Sequence, residues 1–265
     1  MPYAFNNGVR IYWEEGGRGD PLLMIMGLSF TLAMWGELRS VLSKHFRTIL
    51  LDNRGVGKSD VPLRPFSMRS MARDALCVLD AAGAGIAHVL GLSMGGMIAQ
   101  ELAITSPHRV ARLVLGCTQC GGLASALPEM RSLRVLVSPF RTRAARLKAI
   151  VPLIYDVGTP EDRIERDLET IRANVPSIRG YLNQLSAIAR WHSYARLSCI
   201  SSPTLVIHGE TDRLVVPANA RILAARIPNS RLVMIPHASH IFPTDQPEIT
   251  CRALLEFLSA APAAG

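Results

Sequence analysis

Gly91-Leu92-Ser93-Met94-Gly95 matches the pattern G-x-S-x-G and lies between an apolar run, His88–Leu90, and a helix-like run, Gly96–Leu102. A serine that attacks a carbonyl carbon must project from a sharp turn between a strand and a helix, which brings neighbouring backbone very close. Glycines two residues to either side permit that approach because they have no Cβ. The flanking patterns therefore indicate a nucleophilic Ser93, although a glycine-rich βα turn could contain the same five residues.

The composition is typical of a globular protein with one large domain, since the 265 residues are 49% hydrophobic and 19% charged. No stretch has the about 18 consecutive apolar residues of a membrane helix. The N-terminus lacks the basic region and apolar core of a secretory signal. These features predict a cytoplasmic protein with no membrane partner.

The net charge of +8 does not by itself indicate a nucleic-acid partner, because no basic stripe interleaved with aromatic residues is present. Six basic residues and no acidic residue lie between Arg131 and Lys148. We expect this stretch to be mainly a solvated helix face. The alternative is a positive rim that attracts anionic substrates.

The five cysteines include the pair Cys117 and Cys120 in a C-x-x-C arrangement. A zinc site would need a second pair of ligands at a suitable spacing, and a redox site would need a thioredoxin-like context. Neither accompanies this pair. We expect reduced structural thiols at the end of a strand, with no metal bound.

The hydrophobic pattern predicts strands that alternate with helices. Residues 9–14 alternate between apolar and polar side chains and predict an edge strand. Continuous apolar runs predict buried parallel strands at 22–26 and 46–51, and further strands are predicted at 87–92, 110–116, 203–208 and 231–235. The predicted fold is an α/β fold with a mostly parallel sheet and helices on both faces.

This alternation is interrupted between residues 121 and 200, where the chain is helical and rich in arginine and proline. We predict a core formed by residues 1–120 and 201–265, with residues 121–200 inserted as a helical cap. A cap that follows a central strand would cover the carboxyl edge of the sheet, where open α/β sheets bind ligands.

A serine nucleophile needs a base to accept its proton and a carboxylate to orient that base. In a fold of this kind the acid and then the base follow the serine, each in a loop after a late strand. Asp212 follows the strand at 203–208, and His237 and His240 follow the strand at 231–235. The order and the positions predict a triad of Ser93, Asp212 and one of these two histidines.

An oxyanion hole requires two backbone N–H groups aimed at the developing negative charge. The residue after the nucleophile, Met94, supplies one of them at a helix N-terminus. The second should come from the loop after the strand at 22–26, and we assign it to Leu28.

The chain resembles α/β-hydrolases from about Val9 to its C-terminal helix. The resemblance is carried by Met26-Gly27-Leu28, Asp52–Ser59, Gly91–Gly96, His208–Asp212 and His237–His240. In this family the last motif is usually G-x-G-H with the final histidine as base, which implies that His240 is the base. The pattern is similar to the branch that holds 3-oxoadipate enol-lactonases, small-ester esterases and haloperoxidase-type perhydrolases.

Two departures from the family pattern affect the predicted site. Met26 stands where members usually have histidine, which removes a polar anchor and makes the acyl pocket more apolar. We expect Met26 and Phe30 to line the substrate pocket. His237 and Ser239 replace two glycines beside the base and should reshape the leaving-group side.

The resemblance implies a serine carboxylic ester hydrolase that acts on small-molecule esters with short to medium acyl groups, without a cofactor. The same triad would serve an enol-lactonase, a C–C bond hydrolase or a cofactor-free perhydrolase, so these alternatives remain open. A non-catalytic binding protein of this fold is the alternative from another class. The oligomeric state is not predicted.

Overall fold

The computed structural model describes residues 2–137 and 143–260, and its strands form a single eight-stranded sheet. The strands are β1 (Tyr3–Asn6), β2 (Val9–Gly16), β3 (Pro21–Ile25), β4 (Arg47–Leu51), β5 (Ala87–Leu92), β6 (Val110–Gly116), β7 (Thr204–Gly209) and β8 (Ser230–Ile235). Their order across the sheet is β1-β2-β4-β3-β5-β6-β7-β8. From β4 to β8 all neighbours run parallel, whereas β2 is antiparallel to both β1 and β4. The α/β architecture predicted from the sequence is confirmed.

The prediction of an edge strand at residues 9–14 is wrong. β2 pairs with β4 on one side and with β1 on the other, so β1 is the outer strand. The four residues of β1 are too few to show a clear alternation. Asn7 and Gly8 both have positive φ, 50° and 81°, which is the backbone geometry that an Asn-Gly pair provides in a tight hairpin.

In the described ranges, ten α-helices connect or cover the strands. They are α1 (Gly36–Leu42), α2 (Met68–Ala81), α3 (Met94–Thr105), α4 (Met130–Val137), α5 (Arg143–Ile154), α6 (Glu161–Ala173), α7 (Ile178–Ala189), α8 (Ala218–Arg226), α9 (Phe242–Asp245) and α10 (Pro247–Leu258). Short 3-10 helices occur at Leu32–Trp35, Pro107–Arg109, Gly122–Ala124 and Tyr194–Cys199. Within the described ranges, none of these helices is long and apolar enough to cross a membrane.

The buried core lies on both faces of the sheet, as the continuous apolar strands require. In β3, Leu23 and Ile25 belong to the cluster beneath α2 and α3, whereas Leu22 and Met24 belong to the cluster beneath α1 and α10. Successive strand residues point to opposite faces. Both sets are fully buried, so helices on both sides position the carboxyl edge of the sheet rigidly.

The chain between β6 and β7 contains α4 to α7, the segment for which the sequence predicts a cap. α7 packs closely on the loop that follows β4: a Cβ on Gly180 would lie 1.9 Å from the Gly55 carbonyl oxygen. The backbone amide of Ile241, beside the predicted base, donates to the Ile154 carbonyl at the end of α5 over 2.8 Å. This helical segment therefore contacts loops at the carboxyl edge of the sheet.

Candidate active site

Ser93 lies at the junction of β5 and α3 with φ 57° and ψ −120°, a strained conformation for a residue with a side chain. A Cβ on Gly91 would lie 2.3 Å from the Gly95 carbonyl oxygen, and a Cβ on Gly95 would lie 2.0 Å from the Ile25 carbonyl oxygen. Both glycines are thus required by close backbone contact. The strand, the turn and the helix around Ser93 have the geometry that the sequence predicts.

The loop after β3 runs directly beside the serine, since a Cβ on Gly27 would lie 3.1 Å from the Ser93 Cβ. In this loop the Ser29 amide donates to Gln184 and the Phe30 amide donates to the Gly27 carbonyl. The amides of Leu28 and Met94 donate to no acceptor in the described part of the chain. Two backbone donors therefore flank Ser93 and are free to bind an oxygen atom.

Asp212 and His240 are brought together in the loops after β7 and β8. The Nδ1 atom of His240 lies 2.8 Å from Oδ2 of Asp212, and both side chains are buried. A Cβ on Gly209 would lie 2.2 Å from the Ser239 carbonyl oxygen, so this glycine permits the two loops to meet. A hydrogen bond at Nδ1 leaves the other ring nitrogen, Nε2, as the atom that can exchange a proton with a reacting group.

The carboxylate of Asp212 is held by a dense set of donors. Its Oδ1 accepts the backbone amides of Leu214 at 2.8 Å and Val215 at 2.9 Å. Its Oδ2 lies 3.2 Å from Nε2 of His208, in addition to the contact with His240. Burial alone would raise the pKa of Asp212, but the charge and hydrogen bond of His240 and the hydrogen bond of His208 together hold that pKa well below its usual range. The sequence did not predict the contact with His208.

The end of β6 joins the serine to the Asp212–His240 pair. The Ser93 amide donates to the Gly116 carbonyl over 2.8 Å, and the Thr118 hydroxyl donates to the Ser93 carbonyl over 2.7 Å. Between these two residues, Sγ of Cys117 lies 3.7 Å from the Ser239 carbonyl oxygen. Ser93 at the end of β5 is thus hydrogen-bonded to the segment after β6, and Cys117 of that segment lies beside the Asp212–His240 pair after β7 and β8.

Cys117 is a buried neighbour of the pair, a position that the sequence did not predict. Its sulfur, an Asp212 oxygen and a His240 nitrogen lie within 4.8 Å of one another. Burial, followed by the nearby charge of Asp212, raises the pKa of the Cys117 thiol well above its usual value. Cys120 is also a free, buried thiol.

The loop that carries His240 explains why glycine is usual at position 237 of the family pattern. His237 adopts φ 52°, in the left-handed region, and its side chain is exposed. The Ser239 amide donates to Oδ2 of Asp245 over 2.6 Å, and the Ser239 hydroxyl donates to the Leu153 carbonyl over 3.2 Å. Ser239 is thereby tied to both the core and the predicted cap.

The two residues predicted to line the substrate pocket have different surroundings. Met26 lines a cavity of about 150 Å³ together with Trp35, Leu92 and Ile241. Leu92 and Ile241 are sequence neighbours of Ser93 and His240. Phe30 is half-buried and packs between the core cluster beneath α1 and a cluster formed by the predicted cap. A substrate-binding role for either residue remains a prediction.

Comparison with known proteins identifies the family. A family model for the α/β-hydrolase fold matches residues 20–247. The chain belongs to the α/β-hydrolase family. The fold, the branch predicted from the motifs and the assignment as a hydrolase agree with this match and with the relatives.

Three relatives illustrate the similarity. A protein named as a carbamate hydrolase, RutD, of Azorhizobium caulinodans is 30% identical over 97% of this chain and 98% of that protein. A poly(3-hydroxyalkanoate) depolymerase of Ectopseudomonas oleovorans is 32% identical over 97% of this chain and 93% of the depolymerase. The crystal structure of an enol-lactonase from Burkholderia xenovorans superposes with a TM-score of 0.84 at 28% identity, covering 98% of this α/β-hydrolase and 100% of the enol-lactonase.

Proposed function

We propose that this α/β-hydrolase is a serine carboxylic ester hydrolase that cleaves small esters with short to medium acyl groups through an acyl-enzyme intermediate. Ser93 is the proposed nucleophile, His240 the base and Asp212 the residue that orients the base. The amides of Leu28 and Met94 are the proposed oxyanion hole. No cofactor takes part in the proposed mechanism.

One observation carries the proposal. The buried 2.8 Å contact between His240 and Asp212 lies at the same sheet edge as a serine held in a strained turn with two free amides beside it. A strained backbone costs stability, and strain of this kind is typical of sites where it serves a reaction. A binding protein of this fold would not need all three features.

The acylation step follows from these positions. The Ser93 oxygen attacks the ester carbonyl carbon while Nε2 of His240 accepts its proton. Asp212 stabilises the resulting imidazolium, because its low pKa keeps it ionised at neutral pH. The carbonyl oxygen becomes an oxyanion that accepts hydrogen bonds from the Leu28 and Met94 amides. His240 then donates the proton to the leaving alcohol as the ester C–O bond breaks.

The deacylation step uses the same groups. His240 removes a proton from a water molecule as the water oxygen attacks the acyl-enzyme carbonyl. The same two amides stabilise the second oxyanion. The bond to Ser93 then breaks, the serine regains its proton from His240, and the carboxylic acid is released.

The proposed preference for short to medium acyl groups rests on the predicted cap over the site and on a small cavity that borders the sequence neighbours of Ser93 and His240 but is lined by neither of these two residues. The cavity next to Leu92 and Ile241 measures about 150 Å³, and Met26, Met34 and Trp35 supply apolar surface. We expect butyrate-type esters to be cleaved faster than emulsions of long-chain triglycerides. The opposite order would contradict the proposed size limit.

The experiment that tests the function compares the wild type with Ser93→Ala on p-nitrophenyl butyrate. The wild type should release a burst of nitrophenol, whereas Ser93→Ala should lose on the order of 10⁶ in turnover because no acyl-enzyme can form. Circular dichroism of both proteins serves as the folding control. If Ser93→Ala keeps more than about a tenth of the activity, Ser93 is not the nucleophile.

A substrate panel separates the reactions that share this triad. It contains the butyrate ester, an enol-lactone, a dienone, a carbamate and a peracid assay with acetate and peroxide. The enol-lactone is included because of the structural match to an enol-lactonase, and the carbamate because of the name of one relative. A binding protein would show no Ser93-dependent turnover on any of them.

A further inference from the structure

Gln184 on α7 connects the segment between β6 and β7 to two loops of the core. Its side chain is completely buried. The Ser29 amide donates to its Oε1 over 2.9 Å, and its Nε2 donates to the Arg54 carbonyl over 2.9 Å. One partner is a donor and the other an acceptor, so the amide group of Gln184 has only one orientation that satisfies both.

The first partner, Ser29, follows a proposed oxyanion donor directly. Ser29 adopts φ 69°, and its hydroxyl is buried without a partner in the described ranges. The same loop is also held by the 3.4 Å bond from the Phe30 amide to the Gly27 carbonyl and by the 2.8 Å bond from Nδ2 of Asn53 to the Met26 carbonyl. The contact with Gln184 holds the backbone amide of the residue directly after Leu28.

The second partner, Arg54, is a rigid anchor. Its guanidinium forms two hydrogen bonds with the Asp74 carboxylate, at 2.6 and 2.5 Å, and both side chains are buried. The adjacent Gly55 touches Gly180 of α7 at the backbone level. Gln184 therefore spans from a fixed point of the core to a strained loop beside Ser93.

We propose that Gln184 is a positioning residue that holds the Leu28 amide in the oxyanion hole from the segment between β6 and β7. This inference rests on the proposed function. Because the oxyanion exists only in the transition state, a displaced Leu28 amide should lower kcat and leave KM nearly unchanged. The placement of α7 on the core is then coupled to the rate of the chemical step.

The test uses Gln184→Leu with Asn183→Leu as a matched control. Asn183 is the neighbouring residue on α7, and its Nδ2 donates to the Pro62 carbonyl over 3.1 Å, so it also ties the helix to the core. It contacts a different loop from the one that carries Leu28. Removal of a complete oxyanion donor costs about 10²–10³ in kcat, so a displaced donor in Gln184→Leu should cost about 10- to 100-fold. Asn183→Leu should stay within about threefold of the wild type.

A second measurement separates positioning from a general loss of structure. An alkylboronic acid forms a tetrahedral adduct with the serine and should lose affinity in Gln184→Leu by the same factor as kcat/KM. The product carboxylic acid, which has no tetrahedral oxyanion, should inhibit both proteins equally. If Gln184→Leu does not fold, Gln184→Met keeps the side-chain length and gives the same comparison.

The outcomes distinguish this inference from the function on which it rests. A wild type without Ser93-dependent turnover would contradict the proposed function. An active wild type together with a Gln184 variant that matches Asn183→Leu in kcat and in boronate affinity would overturn the positioning role alone. An equal loss of affinity for the boronate and the carboxylic acid would also overturn it.

Discussion

Nε2 of His208 lies 3.2 Å from Oδ2 of Asp212 and 2.7 Å from the Val215 carbonyl oxygen, and the imidazole is completely buried. Both partners accept hydrogen bonds, so Nε2 carries the proton. Nδ1 is buried and has no partner in the described ranges, so a proton on it would be costly. His208 is therefore a second donor beside the same oxygen of Asp212 that His240 contacts.

Replacement of His208 should change the proton affinity of His240. In His208→Phe the ring volume is kept, but Asp212 loses one donor and attracts the imidazolium of His240 more strongly. The acid limb of the kcat/KM profile should move to higher pH, by up to about one unit, because a hydrogen bond to a charged group contributes ~1.5–3 kcal/mol. The measurement is kcat/KM for a butyrate ester from pH 5 to 9.

His208→Gln is the matched variant, because its amide nitrogen can reach the position of Nε2. It should restore the wild-type profile. A shift of equal size in both variants, or no shift in His208→Phe, would show that His208 only fills space.

His240 and His237 provide a direct comparison within one loop. His240 is buried against Asp212, whereas His237 is exposed, and its backbone adopts the left-handed conformation. His240→Ala should be nearly inactive because Ser93 then has no base. His237→Ala should keep measurable turnover, although loss of stability is expected from the strained backbone. An inactive His237→Ala with an active His240→Ala would reverse the assignment.

Asp245 should make the stability of the protein depend on pH. Burial raises its pKa to about 6, although it accepts hydrogen bonds from Thr159, the Ser239 amide and the Asp156 amide. The unfolded chain releases this proton near pH 4, so the native state binds more protons between about pH 4 and 6. The free energy of unfolding contributed by this group is then highest below that window and falls as the pH rises through it.

Urea denaturation of the wild type and Asp245→Asn from pH 4 to 7 measures this contribution. The free energy of unfolding of the wild type minus that of Asp245→Asn should decrease as the pH rises and become constant above about pH 7. Asp60→Asn is the control, because the hydrogen bonds from Arg10 lower the pKa of Asp60 and should produce no such fall. A constant difference between the wild type and Asp245→Asn would contradict the prediction.

The sequence predicted the turn at Ser93 and the positions of Asp212 and His240 after their strands because these features depend on local rules. Gly91 and Gly95 are required by backbone contacts within a few residues of Ser93 or across the adjacent strand β3. Asp212 and His240 follow the neighbouring parallel strands β7 and β8, whose carboxyl ends share one edge of the sheet. The hydrophobic periodicity and the order of residues along the chain are sufficient to predict the positions of such residues.

The features that the sequence did not predict depend on contacts between distant segments. Gln184 lies 155 residues from Ser29, and a buried glutamine in a helix has no distinctive pattern. Cys117 follows β6 as expected, but its contact with the Asp212 and His240 loops arises from the packing of three strand ends. The contact of His208 with Asp212 is instead local, since the two residues are four positions apart, but it depends on the conformation of the turn between them, which the residue pattern does not specify.

The basic residues between Arg131 and Lys148 raise the question of whether the enzyme prefers negatively charged substrates. Of its six basic residues, Arg131, Arg134 and Lys148 have exposed side chains, whereas the side chains of the other three fall outside the described residues. Exposed charges are screened by salt and contribute little to binding. We therefore expect kcat/KM for a neutral and an anionic ester of equal size to change by similar, small factors between about 0.05 and 0.5 M salt.

An arginine that binds a substrate carboxylate through two hydrogen bonds would produce a different result. Inside a site, the attraction between guanidinium and carboxylate is weakened far less by salt, and the paired geometry selects the carboxylate. Arg131→Ala and Arg134→Ala are then the informative variants, with the exposed Arg69 on α2 as the matched position for Arg69→Ala. A preference for the anionic ester that one of the first two variants abolishes and Arg69→Ala retains would contradict the solvated-face interpretation. It would move the proposed function toward lactones derived from dicarboxylic acids, whose second carboxylate needs such a cation.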